Sequence, residues 1–186
     1  SLSRHDAREW PVEKAVPVMA DTGHHPMTPD ESTLLQSLLR TTPTAALATL
    51  HRGEPAVSMV PFALLSGGEG LVVHVSRLAT HTQDMLDHPG VALLVTGTMA
   101  TGDSPLALPR VSIQGHARPC PVDAPGHAQA REAYLAKLPD AEPLFGFGDF
   151  SLFVIEPESL RFVAGFGRAM AFKAERLRAV LAGSTA

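Results

Sequence analysis

Cysteine, tryptophan and tyrosine occur once each in 186 residues, and charged side chains make up only 18% of them. The lone Cys120 excludes an internal disulfide framework and any CxxC metal knuckle, and it reads as a small semi-buried residue. Cationic surface is also scarce: Lys and Arg total 15 against 19 Asp and Glu, for a net charge of −4 with the nine histidines neutral. The arginines are dispersed, so nothing here calls for nucleic acid. No apolar run approaches membrane-spanning length, and the opening SLSRHDAREW has no signal-peptide core. The expectation is a soluble, cytoplasmic protein without a membrane segment. His24-His25 has no partner in register, so it reads as a solvated loop and no metal site is expected.

What the chain does have is a hydrophobic content of 45%, enough for one domain with a sizeable core. Residues 1–28 mix charge, Pro, Gly and His without a period and read as a tail or arm, with Trp10 and Val16–Met19 free to pack on a neighbour. Thr28-Pro29-Asp30-Glu31 has the composition of a helix start, and Leu34, Leu35, Leu38 and Leu39 give that helix one apolar face. From Pro43 the pattern shortens to strands: Thr44–Leu50, a turn at His51–Glu54, and a return over Pro55–Leu65 whose Pro61 implies an edge or bulge. Leu71–Ser76, Val91–Thr96, Arg110–Ala117, Phe150–Pro157 and Leu160–Val163 follow as strands. Helices are expected at 82–87, 124–138 and 171–181. Successive strands on short turns indicate an antiparallel meander, and a β-barrel with peripheral helices closes it without a long exposed edge. The division is an arm over 1–28, a barrel domain over 29–170 and a C-terminal helix over 171–186.

The chemistry concentrates in Gly70–Pro89, GLVVHVSRLATHTQDMLDHP. An apolar strand runs out into Ser76, Arg77, Thr80, His81 and Thr82 at the start of a short helix. Hydroxyls, a guanidinium and an imidazole beside free helix-start N–H groups are what an anion, and a phosphate in particular, requires.

Taken in order, TAALATL, SMVPF, VSRLATHTQDMLDHP, LPRVSIQG, FGDFSLFVIEP and RFVAGFGRA resemble the FMN-binding split barrel of the pyridoxamine 5'-phosphate oxidase-like family, nearest its haem-utilisation branch. The resemblance implies an antiparallel split β-barrel, FMN as cofactor and a homodimer with the flavin at the subunit boundary. It implies that Ser58, Met59, Val60 and Pro61 line the flavin ring, that His74 and Val75 touch it, and that Ser76 meets the ribityl chain. Thr80 and His81 fall on two positions that are basic in the oxidase proper, with Thr82 adjoining. Replacing a basic residue by Thr80 leaves less positive charge for the phosphate. The resemblance puts Arg110 at a polar flavin contact expected from the second subunit, and the residues GFGR read either as bringing the Arg168 cation to the cofactor or as a turn into the terminal helix.

Three functions follow from this reading. The first is an FMN-dependent oxidoreductase, because no acid–base pair marks the site for hydrolysis and flavin carries its own redox chemistry. Its substrate is open, and the basic strand needed for vitamin B6 oxidation is not recognisable in FVAGFGRAMAF. The second is a haem-binding or haem-degrading protein. The third is a flavin sensor without turnover, or a cofactor-free module.

Overall fold

The computed structural model describes residues 27–183, so the arm reading, with Trp10 and His24-His25, lies outside the described residues apart from its last positions. Helix α1 (Pro29–Thr41) starts on a complete capping box. The Thr28 hydroxyl accepts from the Glu31 amide, and the Glu31 carboxylate accepts from the Thr28 amide at 3.0 Å. Its buried leucines, Leu35, Leu38 and Leu39, close one end of the barrel.

Strands β1 (Thr44–His51) and β2 (Glu54–Pro61) form a hairpin whose two-residue turn, Arg52-Gly53, has positive φ at both positions. That is the backbone a tight hairpin needs, and Gly53 adopts it at no steric cost. After β3 (Ala63–Leu64) and β4 (Leu71–Ser76) come α2 (Thr80–Asp87), β5 (Gly90–Thr96), β6 (Arg110–Pro119) and α3 (His127–Lys137). A 3-10 segment over Pro139–Gly146 leads into β7 (Phe150–Gly165), β8 (Arg168–Lys173) and α4 (Ala174–Leu181). The sheet is antiparallel in the order β2-β1-β5-β6-β7-β4-β3, with β8 added to β7. It curls into the expected split barrel.

Strand β7 departs from the sequence reading. The two late strands are one, 16 residues long, pairing with β6 along most of its length. Its first part takes β4 as second neighbour and its last part takes β8. Between Gln114↔Ser159 and Gly115↔Pro157 the register shifts by one residue, leaving Glu158 as a bulge. A proline beside a bulge gives up no ladder hydrogen bond, which is why Pro157 does not end the strand. Because 168–173 pair with β7, the terminal helix begins at Ala174 and not at Ala171.

β4 is buried on both faces. Leu71, Val73 and Val75 face the barrel core, while Val72 and His74 face a second cluster built by Ala130 and Tyr134 of α3 with Leu152 and Val154. A strand covered on both sides reads as a nearly continuous apolar run, as this one does.

Gly115 sits at the bulge with no room for a side chain: a Cβ there would collide with the Glu156 carbonyl oxygen. Gly115→Ala should therefore lower stability by about 1–3 kcal/mol, read as a shift of the urea midpoint at unchanged m-value. An unshifted midpoint would show that β7 can move aside.

Candidate functional site

The strand-to-helix corner forms as the sequence implies, but most of its hydroxyls are already engaged. Thr82 donates to the Ser76 carbonyl at 2.6 Å and is buried. The Ser76 hydroxyl donates to Asp149 at 3.3 Å and accepts from the Leu78 amide at 3.1 Å. Arg77 donates through Nε to the Ser151 hydroxyl, and its amide donates to the Asp149 carbonyl at 2.6 Å. Asp149 thus ties the corner to the start of β7. Helix α2 has Ala79 as its N-cap, with no side chain capping the first turn. Thr80 is exposed beside it.

The electrostatics of this corner are nearly neutral. Burial holds the His81 imidazole below its ordinary pKa, and the opposing pull of Asp84 is smaller. Asp84 is itself buried and accepts from Thr49 at 3.0 Å and from His51 Nδ1 at 2.7 Å. Burial works against its charge, but those hydrogen bonds outweigh it and keep the carboxyl below its usual value. A doubly charged phosphate would find Arg77 as its cation, with the carboxylates of Asp84 and Asp149 close behind. At this corner a phosphate would rely on Arg77 and the uncapped N–H groups at the start of α2.

Beside the corner opens a cavity of about 980 Å³ between α2, α3, the 3-10 segment and β7. Of the residues singled out from the sequence, His74, Arg77 and Thr82 line it. His74 lies flat on Phe145, with ring centroids 3.9 Å apart and planes 7° from parallel. It is only 7% exposed, and its Nδ1 is buried without a hydrogen-bond partner among the described residues. Burial, with a smaller contribution from His127, lowers its pKa to about 4. His127 itself donates through Nδ1 to the Cys120 carbonyl at 2.9 Å.

The other expected contacts lie elsewhere. Val75 points into the core, so only its backbone could meet a ligand. Ser58 and Val60 face inward on β2, and the Ser58 hydroxyl is buried without a partner among the described residues. Met59 faces outward, while Pro61 caps the edge strand at its exposed end. Arg110 opens β6, where its guanidinium donates to the Leu106 and Leu108 carbonyls. Arg168 donates through Nε and Nη2 to both Glu31 oxygens, at 2.8 and 2.9 Å. That ion pair pulls the Glu31 carboxyl down to a pKa of about 2, against the burial that would raise it. Glu31 carries no periodic or motif signal beyond its capping position, so this partner was not visible in the sequence.

Met59 belongs to a second surface that sequence reading missed. On the outward face of the sheet, Ala46 pairs with both Met59 and Leu94, and Ala48 with both Val57 and Ala92. Val57 and Met59 are 74% and 65% exposed, and Leu94 is 40% exposed. This apolar plate spans β2, β1 and β5. It continues into a shallow groove of about 540 Å³ carrying Arg161 and Lys173.

The family profile described as pyridoxamine 5'-phosphate oxidase matches residues 33–164. A chloroplastic non-canonical haem oxygenase, HOZ, of Arabidopsis thaliana is 38% identical over 119 residues, covering 64% of this chain and 35% of that protein. A haem-binding protein of Mycobacterium smegmatis superposes with a TM-score of 0.71 at 30% identity, over 80% of this chain and 60% of that one. ChuZ of Campylobacter jejuni shares the fold, with a TM-score of 0.64 at 21% identity over 77% of this chain and 58% of that one. The chain thus spans about a third of the length of its curated relative. No helix among the described residues is long and apolar enough to cross a membrane.

As pH falls below 6.5 the unfolded chain protonates its His74 before the folded chain does, so the folded state loses ground until about pH 4. Unfolding free energies from urea titrations between pH 7.5 and 5 should decline at up to about 1.4 kcal/mol per pH unit from this group, with His81 adding in the same direction. His74→Gln should flatten the profile. An equally steep profile in that variant would place the loss elsewhere.

Proposed function

The chain belongs to the pyridoxamine 5'-phosphate oxidase family, and from that premise we propose that it is a haem-binding protein of haem utilisation, working as a homodimer. The observation that carries this reading is the outward apolar plate bordered by Arg161 and Lys173. Haem is a flat apolar macrocycle with two acidic chains, and a plate of Ala, Val, Leu and Met beside two cations suits both parts. The haem-related names of two relatives at 30% and 38% identity support the same ligand. When bound, haem supplies iron-centred redox and oxygen chemistry. This chain would hold the ring on Val57, Met59 and Leu94 and meet the acidic chains with Arg161 and Lys173. Iron takes His or Met ligands. On this face Met59 offers a thioether, and His116 an imidazole 3.7 Å from Glu158.

The same plate accounts for dimerisation. Strand addition at the β2 edge is opposed by Pro55 and Pro61, which have no N–H to donate. A second copy is therefore expected to meet the plate face to face, enclosing the haem between the subunits. The compartment in which it works, expected to be the cytoplasm, belongs to this proposal as well.

Flavin is the second reading. The uncapped start of α2 beside Thr80 and Arg77, together with the unpartnered Ser58 hydroxyl, favours it. In that case the protein is an FMN-dependent oxidoreductase.

Titration of the full chain with haem should produce a shifted Soret band saturating near one haem per subunit, altered by Met59→Ala or His116→Ala according to which residue binds iron. Absence of any Soret shift would overturn the haem reading, and a flavin band near about 450 nm on adding FMN would favour the second. Thr80→Ala/His81→Ala would then lower FMN retention.

Leu94→Glu places a charge in the plate and should convert the dimer to a monomer in light-scattering measurements. A dimer that survives it would move the interface elsewhere.

A further inference from the structure

The cavity behind β4 is separate from the outward plate, and the haem reading makes no use of it. Its walls are largely apolar and aromatic, with Phe145, Phe150, Leu86 and Leu152 among them. At about 980 Å³ it has the size of a small-molecule site. Its formal charges are Arg77 and Arg131 against Glu142 alone, a balance that favours a single negative charge.

Of these, Arg131 is placed to receive a ligand. The Arg131 guanidinium lies over the Phe145 ring, 5.1 Å from its centroid, so the ring holds it at the mouth without neutralising it. Glu142 is 4.0 Å from Arg131, the limit of an ion pair, and its side chain is mostly exposed. Such a pair is weak and easily exchanged. Deeper in, His74 offers a buried polar nitrogen with no partner among the described residues, stacked beneath the same Phe145. Because this imidazole stays neutral, a ligand's charge belongs at the mouth and an uncharged polar group can reach inward.

We infer that this cavity binds a hydrophobic carboxylate, with its acid group on Arg131 and its apolar body against Phe145, Phe150 and Leu86. A planar guanidinium fork matches a planar carboxylate, and one negative charge suits the balance of the lining. Phosphate is disfavoured because the nearby hydroxyls of Ser76 and Thr82 are bonded internally.

Calorimetric titration with naphthalene-2-carboxylate and with the neutral 2-naphthylmethanol tests this on the full chain. The carboxylate should bind at least tenfold more tightly than the alcohol. Arg131→Gln should abolish that preference while leaving the haem titration unchanged, and Glu142→Gln should strengthen carboxylate binding. Phe145→Ala should weaken both probes, and the two surface variants decide the matter if that core variant fails to fold. Equal affinity for the two probes, or a carboxylate preference that survives Arg131→Gln, would overturn the inference. So would displacement of the probe by equimolar FMN, which would make the cavity a flavin pocket.

Discussion

The pairing of β6 with β7 is the constraint on which the other elements depend. β7 keeps β6 as one neighbour while its other neighbour changes from β4 to β8, so a single ladder carries both halves of the barrel. The change needs a bend, and the bend needs the bulge at Glu158 and the missing side chain at Gly115. Backbone oxygen and Cβ cannot share that space. The geometry of both candidate surfaces is inherited from this crossing: the first part of β7 floors the aromatic cavity, and the last part carries Arg161 into the outward groove.

Two surfaces with different chemistry arise because the sheet is covered unequally. Over β4 and the start of β7, α3 and the 3-10 segment bury Val72, His74, Leu152 and Val154. Over β2, β1 and β5 the other described residues leave the outward side chains largely exposed, although several are apolar. A partly buried polar residue among aromatics and an exposed apolar plate are the two departures from ordinary partitioning that point to function.

Much of the barrel could be read from the chain. The β1–β2 turn at Arg52-Gly53, the edge position of Pro61, the Thr28 cap and the strand leading into Ser76 all carry local chemical signals. What could not be read was pairing at a distance. The Ser76 and Thr82 hydroxyls looked available for a phosphate, but the fold assigns them to Asp149 and to a main-chain carbonyl. Arg168 looked like a cofactor cation, and the fold sets it on Glu31, 137 positions away. The plate was hidden for a related reason: alternating Ala, Val and Met along three strands reads as core until it is known which face the helices cover. Pro157 likewise split one strand into two in sequence, because a bulge leaves no local mark.

The clasp between the first and last helices bears on how the chain reaches this state. Gln36 donates to the Val180 carbonyl and Arg40 to that of Leu181, contacts spanning 144 and 141 positions. Closing such long loops is entropically slow, and antiparallel barrels with distant pairings fold on the slower side of the range for small domains. α1 is made well before two of the elements it packs against, β7 and α4. Until β7 and α4 are made, Leu35, Leu39 and Leu47 have nothing complete to pack against. During synthesis, the half-built barrel is the form most in need of protection from its neighbours.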